Sequence, residues 1–172
     1  MLDFILAFVV AIRVFFRSRV DATQDMRSRF AARQLLFAHA AITDVQGHKL
    51  WHGQRIAREG FDVAAAAQDD LRLRLRDWSF ARSPEGEYVA HVTAGDFSFE
   101  LRCAPTQDVL LQGDGGLSRK GPRPQQASYY FSHPQLAVTG SAALHGRRLA
   151  VTGRAWLDHE WSDELLDKDA VG

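Results

Sequence analysis

Leu71-Arg72-Leu73-Arg74-Leu75-Arg76 alternates apolar and charged side chains without a break. In an extended chain successive side chains leave on opposite faces, so the three leucines share one side and the three arginines the other. Wound as a helix, the same residues would scatter leucine around most of the circumference. The stretch therefore reads as a β-strand with its leucines inward and its arginines in solvent.

The same pattern recurs outward from this strand. Tyr88–Thr93 and Phe97–Cys103 flank the hairpin-like connection Ala94-Gly95-Asp96. Val109-Leu110-Leu111 runs into Gln112-Gly113-Asp114-Gly115-Gly116, which no regular element tolerates, and Ser128–Phe131 is aromatic and strand-prone. Leu136–Ala143 and Arg148–Leu157 flank a second connection, Leu144-His145-Gly146-Arg147, and Gly60 closes Gln54–Glu59. Helical signal is confined to Ala64–Ala67, read as one short turn or helix, and to Ser162–Leu166, where Ser162 is placed to cap. Short strands at this spacing predict an all-β, antiparallel, lipocalin-like barrel or sandwich, and an incomplete one.

The bulk numbers agree with one domain. The chain has 172 residues, 46% hydrophobic and 24% charged, which is ordinary globular usage. Twenty-one basic side chains balance 21 acidic ones, so no basic surface for nucleic acid is expected. Cys103 is the only cysteine, which excludes an internal disulfide and leaves no thiol set for zinc. The apolar run Phe4–Ile12 falls short of the roughly 20 residues of a membrane helix. Met1-Leu2-Asp3 lacks the basic start of a signal peptide, so a buried strand or a misplaced start is the preferred reading of residues 1–13.

Four places in the chain invite chemistry. Gly113 to Gly121 is rich in glycine but lacks phosphate-loop spacing, and it reads as a wide turn. Trp156-Leu157-Asp158-His159-Glu160-Trp161 packs three titratable groups between two indoles. On a strand Asp158 and Glu160 share one face and His159 takes the other, so the three cannot converge. A carboxyl against an apolar wall has its pKa raised, which suits a general acid; equally, these carboxylates can hold a strand end. His39 lies among Leu35-Leu36-Phe37-Ala38 and Ala40, where a satisfied core histidine is commoner than a pocket residue. No histidine falls at metal-ligand spacing, and His48 and His145 sit in turn sequences. Tyr129 and Phe131 share one face and Tyr130 the other, a pattern of core packing or of an apolar pocket with one polar handle.

Four ordered segments together resemble a known family. Arg33–Asp44, Leu111–Gly121, Ala127–Ser132 and Val151–Ser162 are similar to its histidine strand, glycine loop, Ala-Ser-Tyr-Tyr segment and Trp-x-Asp-His-Glu-Trp signature. The order is that of the AttH and carotenoid 1,2-hydratase group of lipocalin-like proteins, over Val14 to Gly172. Members usually open with a Glu-Trp-Trp-Tyr strand ahead of the segment matched here by Phe15–Arg19, where this chain instead opens with the unmatched Met1 to Ala11, and they continue into a second domain. The chain accordingly resembles a truncated N-terminal domain.

The resemblance implies handling of a hydrophobic, isoprenoid or lipid-like molecule in the periplasm or cell envelope, in some members beside an ABC transporter. It also implies an alternative, the hydration of an isoprenoid C=C through a carbocation, which needs an acid, aromatic walls and a guided water. Asp158 and His159 are then the candidate catalytic groups, and His39, Tyr129, Tyr130, Trp156 and Trp161 the candidate ligand contacts. Neither metal nor cofactor nor nucleic acid belongs to the expectation. Binding is placed ahead of catalysis.

Overall fold

The computed structural model describes residues 35–67 and 69–162, so the apolar run Phe4–Ile12 and the segment beyond Ser162 lie outside the described residues. Every element described is a strand. They run β1 (Leu35–Asp44), β2 (Lys49–Arg58), β3 (Ala64–Ala66), β4 (Arg72–Leu75), β5 (Trp78–Arg82) and β6 (Tyr88–Thr93). Then follow β7 (Phe97–Ala104), β8 (Leu110–Leu111), β9 (Leu117–Arg119), β10 (Ala127–Leu144) and β11 (Arg147–Trp161). β1 and β2 form a two-stranded sheet, and the rest share a sheet ordered β11-β10-β7-β6-β5-β4-β3, with β8 and β9 also on β10. Among the described residues the order does not return from β3 to β11. The architecture is all-β and antiparallel, as expected, and among the described residues the strands do not close into a barrel.

Two compact units divide the chain. Among the described residues, one holds those from Leu35 to Arg102 together with Gly140–Val151; the other holds Cys103–Thr139 and Thr152 to Ser162. In the first, the alternation read at Leu71–Arg76 is realised in β4, where Leu73 and Leu75 are buried and Arg72 is exposed. Leu71 lies just outside the strand and is half-buried, and Arg76 sits in the following turn with φ 57°.

The core of this unit is built from alternate positions on each strand. Leu36, Ala38, Ala40 and Ile42 of β1, Ala90 and Val92 of β6, and Phe97, Phe99 and Leu101 of β7 are all buried. Trp78 ties the strands together: its indole donates to the Thr93 carbonyl at 2.7 Å, and Arg55 of β2 covers its ring at 4.8 Å. Arg55 donates to the same carbonyl at 3.0 Å. A Cβ on Gly53 would come within 3.3 Å of that indole, so glycine lets β2 lie close.

Two sequence expectations change. Ala64–Ala67 is neither turn nor helix: Ala64–Ala66 is β3, paired with Leu73–Leu75 of β4. Burial of Ala64 and Ala66 at 2% and 8% exposure explains it, because sheet packing overrides the helix preference of alanine. Ser128–Phe131 and Leu136–Ala143 are not separate strands but parts of the 18-residue β10, which runs through Pro134. The irregularity is absorbed at Gln135, with φ 55°, whose carbonyl accepts from Thr106 Oγ1 at 2.6 Å and from Arg154 at 3.3 Å.

The faces of β4 give a direct check. Leu73→Ala should cost about 2–5 kcal/mol in denaturant unfolding, through lost burial and the cavity left behind. Arg72→Ala should stay within about 0.5 kcal/mol. Equal costs at the two positions would contradict the inward assignment.

Candidate functional site

The candidate residues other than His39 gather in the second unit, where β10 and β11 run side by side with β8 and β9 on the far edge of β10. The pleat sorts them onto two faces. Tyr129, Phe131, His159 and Trp161 occupy one; Ser128, Tyr130, Ser132, Trp156, Asp158 and Glu160 occupy the other.

The first face is an aromatic platform. Tyr129 stacks on Trp161 with ring centroids 5.5 Å apart and planes at 24°. Phe131 meets His159 at 5.1 Å, and His159 meets Trp161 at 5.1 Å, edge to face. Register extends the platform across two more strands, because Leu117 pairs with Tyr129 and Leu111 with Phe131, and directly opposed residues share a face. Two rows result: Leu117, Tyr129 and Trp161, and Leu111, Phe131 and His159. Tyr129 is 53% exposed and Trp161 48%, so the rows are open rather than packed under another layer of the described chain. Leu111 and Leu117 were not anticipated from sequence. Only the strand register joins them to the signature, and composition carries no trace of it.

The second face is a hydrogen-bonded network. Asp158 Oδ1 accepts from Ser132 Oγ at 2.6 Å and from Trp156 Nε1 at 2.7 Å. Gln112 donates to Ser132 Oγ at 2.8 Å, and Ser128 Oγ donates to Glu160 at 2.5 Å. Lys120 pairs with Glu160 at 2.6 Å and lies over the Tyr130 ring at 5.4 Å. Burial alone would raise the Asp158 pKa, but hydrogen bonds from Ser132, Trp156 and Tyr130 outweigh it and hold the carboxyl below its ordinary range. The expected raised pKa is therefore corrected. Trp161 lies on the opposite face, so no pair of indoles presses on Asp158, and the group is a carboxylate at neutral pH. Tyr130 moves the other way, its phenol pushed up chiefly by burial.

His39 belongs to the first unit, on β1. It is exposed, makes a 3.1 Å hydrogen bond to Gln54 and tilts against Phe37 at 4.3 Å. The core-histidine reading fails because Leu36, Ala38, Ala40 and Ile42 take the inward face. Gly113 to Gly116 makes a tight turn, and the wide turn expected through Gly121 is interrupted by β9 at Leu117–Arg119. The amides of Asp114, Gly116 and Leu117 bond to the carbonyls of Leu117, Gln112 and Asp114 and leave no cradle for phosphate. An apolar cavity of about 20 Å³ sits in the first unit, lined by Leu36, Leu73, Trp78 and Val92 among others. It is far below the roughly 300 Å³ of a ligand pocket, and neither Tyr129 nor Tyr130 lines it. Tyr129 stands on the open platform and not in that cavity.

The sequence matches the model of the AttH-like family over residues 10–172. A crystal structure of a protein assigned as AttH from Nitrosomonas europaea is 43% identical, with a TM-score of 0.79, covering 91% of this chain and 46% of that one. Kievitone hydratase from Nectria haematococca is similar at 14% identity and a TM-score of 0.64, covering 76% and 40%. At that identity the likeness is one of fold. The chain spans less than half the length of either solved chain. A search of curated protein sequences finds no match.

Three groups of the hairpin titrate in the same sense. Burial lowers the His159 pKa, and hydrogen bonds from Lys120 and Ser128 overcome burial to lower that of Glu160, as those on Asp158 do there. Each binds protons less readily folded than unfolded, so stability rises with pH. The His159 share is fully present above about 6.5 and is lost below it; the carboxylate share is lost below about 4. Thermal unfolding from pH 8 to 3 should show both limbs, and His159→Phe should flatten only the upper one.

Proposed function

The chain belongs to the AttH-like family, and on that footing we propose that it binds a hydrophobic, isoprenoid or lipid-like molecule on the platform of β8–β11. The observation that supports this reading is the two-row surface itself. Monomeric proteins seldom leave aromatic and aliphatic side chains contiguous and exposed unless something covers them. An elongated apolar ligand laid along the rows would bury Tyr129 and Trp161 and offset-stack on their rings, at about 0.5–1.5 kcal/mol per pair beyond area burial. A location in the envelope, with a transporter delivering or receiving the ligand, is part of the same proposal.

A second reading is supported by the network face. Trp156, Tyr130 and Asp158 put an indole, a phenol and a carboxylate together, the groups an acid-catalysed hydration of an isoprenoid C=C would use. It ranks second because that chemistry needs a proton donor, and Asp158 rests as the anion. Trp156 and Tyr130, first expected as ligand contacts, belong to this face and not to the platform. Neither reading requires a metal or cofactor.

Geranylgeraniol titrated into the intact protein should quench tryptophan fluorescence saturably. Tyr129→Ala and Trp161→Ala should each weaken binding by about tenfold, as central aromatic anchors do. Glu100→Gln, in the other unit, should leave it unchanged. Failure of the native protein to bind any isoprenoid or acyl probe would remove the proposal. For the second reading, Asp158→Asn in an intact, folded protein should cost about 10²- to 10⁴-fold in hydration of an acyclic carotenoid, and near-normal turnover would clear Asp158 of a catalytic role.

A further inference from the structure

His159 is the one titratable imidazole set into the platform rows. Phe131 and Trp161 flank its ring, each at 5.1 Å, and the side chain is half-buried. Among the described residues neither ring nitrogen has a hydrogen-bond partner, in contrast to His39, which bonds to Gln54, and His133, which bonds to the Gln107 carbonyl. A partly buried donor and acceptor left without a partner is unfavourable once water is displaced from it. A ligand that covers the platform displaces that water and must replace its hydrogen bond.

Resting on the binding reading above, we infer that His159 selects the ligand by its polar end: it hydrogen-bonds a single neutral oxygen, alcohol or carbonyl, on an otherwise apolar molecule. An imidazole in its neutral form offers one donor and one acceptor, which matches a hydroxyl in either sense and a carbonyl in one. Burial lowers the His159 pKa and so keeps that form at neutral pH. A carboxylate or phosphate fits poorly, because a lone neutral imidazole set among aromatic and aliphatic side chains returns little of an anion's lost hydration. Lys120 is committed to Glu160 on the opposite side of the pleat, and Arg119, placed on the platform side by its pairing with Ala127, stands two rows away from His159. A pure hydrocarbon fits poorly for the opposite reason, since it would strip the imidazole of water and return nothing. The Tyr129 hydroxyl adds little selection, because that residue is 53% exposed and keeps its solvent.

The test compares farnesene, farnesol and farnesoate by tryptophan quenching at neutral pH on the intact protein. Farnesol should bind about tenfold tighter than farnesene, one hydrogen bond's worth. In His159→Phe, farnesol should fall to the farnesene level while farnesene binds as well as before or better. His159→Gln, which restores a donor and an acceptor, should recover part of the preference, and Glu100→Gln, in the other unit, should keep all of it. Circular dichroism checks that each variant folds. Equal binding of farnesol and farnesene by the native protein, or a preference that survives His159→Phe, overturns the inference and leaves the binding reading standing. Tightest binding of farnesoate shows a charge-selecting site and overturns it as well. Binding of none of the three overturns the binding reading and this inference with it.

Discussion

Neighbouring side chains on an extended strand cannot meet, and the second unit is organised by that rule. Asp158, His159 and Glu160 are adjacent in the chain, yet the pleat sends the histidine to the aromatic rows and the two carboxylates to the network. The same rule divides Tyr129 and Phe131 from Tyr130. A segment that looks like one dense cluster on paper is two surfaces back to back. Register then decides what each surface gains from the other strands: Leu111 and Leu117 on one side, Ser128 and Ser132 on the other.

Charge on the network face follows from competition between burial and hydrogen bonding. Desolvation pushes each carboxyl toward its neutral form, and at Asp158 three donors reverse the outcome. Glu160 is held the same way by Ser128 and by the Lys120 ammonium. With these bonds made, the face resembles a strand clasp more than a reservoir of protons. The aromatic face has no such internal satisfaction, and this imbalance is what separates the two surfaces functionally.

The fold was legible wherever alternation was strong. Leu73 and Leu75 point inward because nothing but a strand can place them together, and the hairpin at His145-Gly146 was marked by its turn residues. Ala64–Ala66 was misread because alanine carries no β signal of its own; its state is set by β4 alongside it. Pro134 concealed the continuity of β10, which depends on side chains from Thr106 and Arg154 reaching the Gln135 carbonyl. The separation of Asp158 from His159 could be read from spacing alone. The sense of the Asp158 pKa could not, because Ser132 lies 26 positions away and its approach is a matter of register.

Back-to-back surfaces also shape how such a sequence can vary. Substitutions without shared partners tend to add, whereas members of one bonded network do not. A change at Tyr129 or Trp161 touches none of the bonds that fix Asp158 and Glu160, so the platform can be resized for a different molecule while the clasp behind it stays intact. A change at Ser132 propagates at once to Gln112 and Asp158. Alternate positions of one hairpin therefore carry very different freedom to diverge, and lineages could explore new ligands through every second residue of the same two strands.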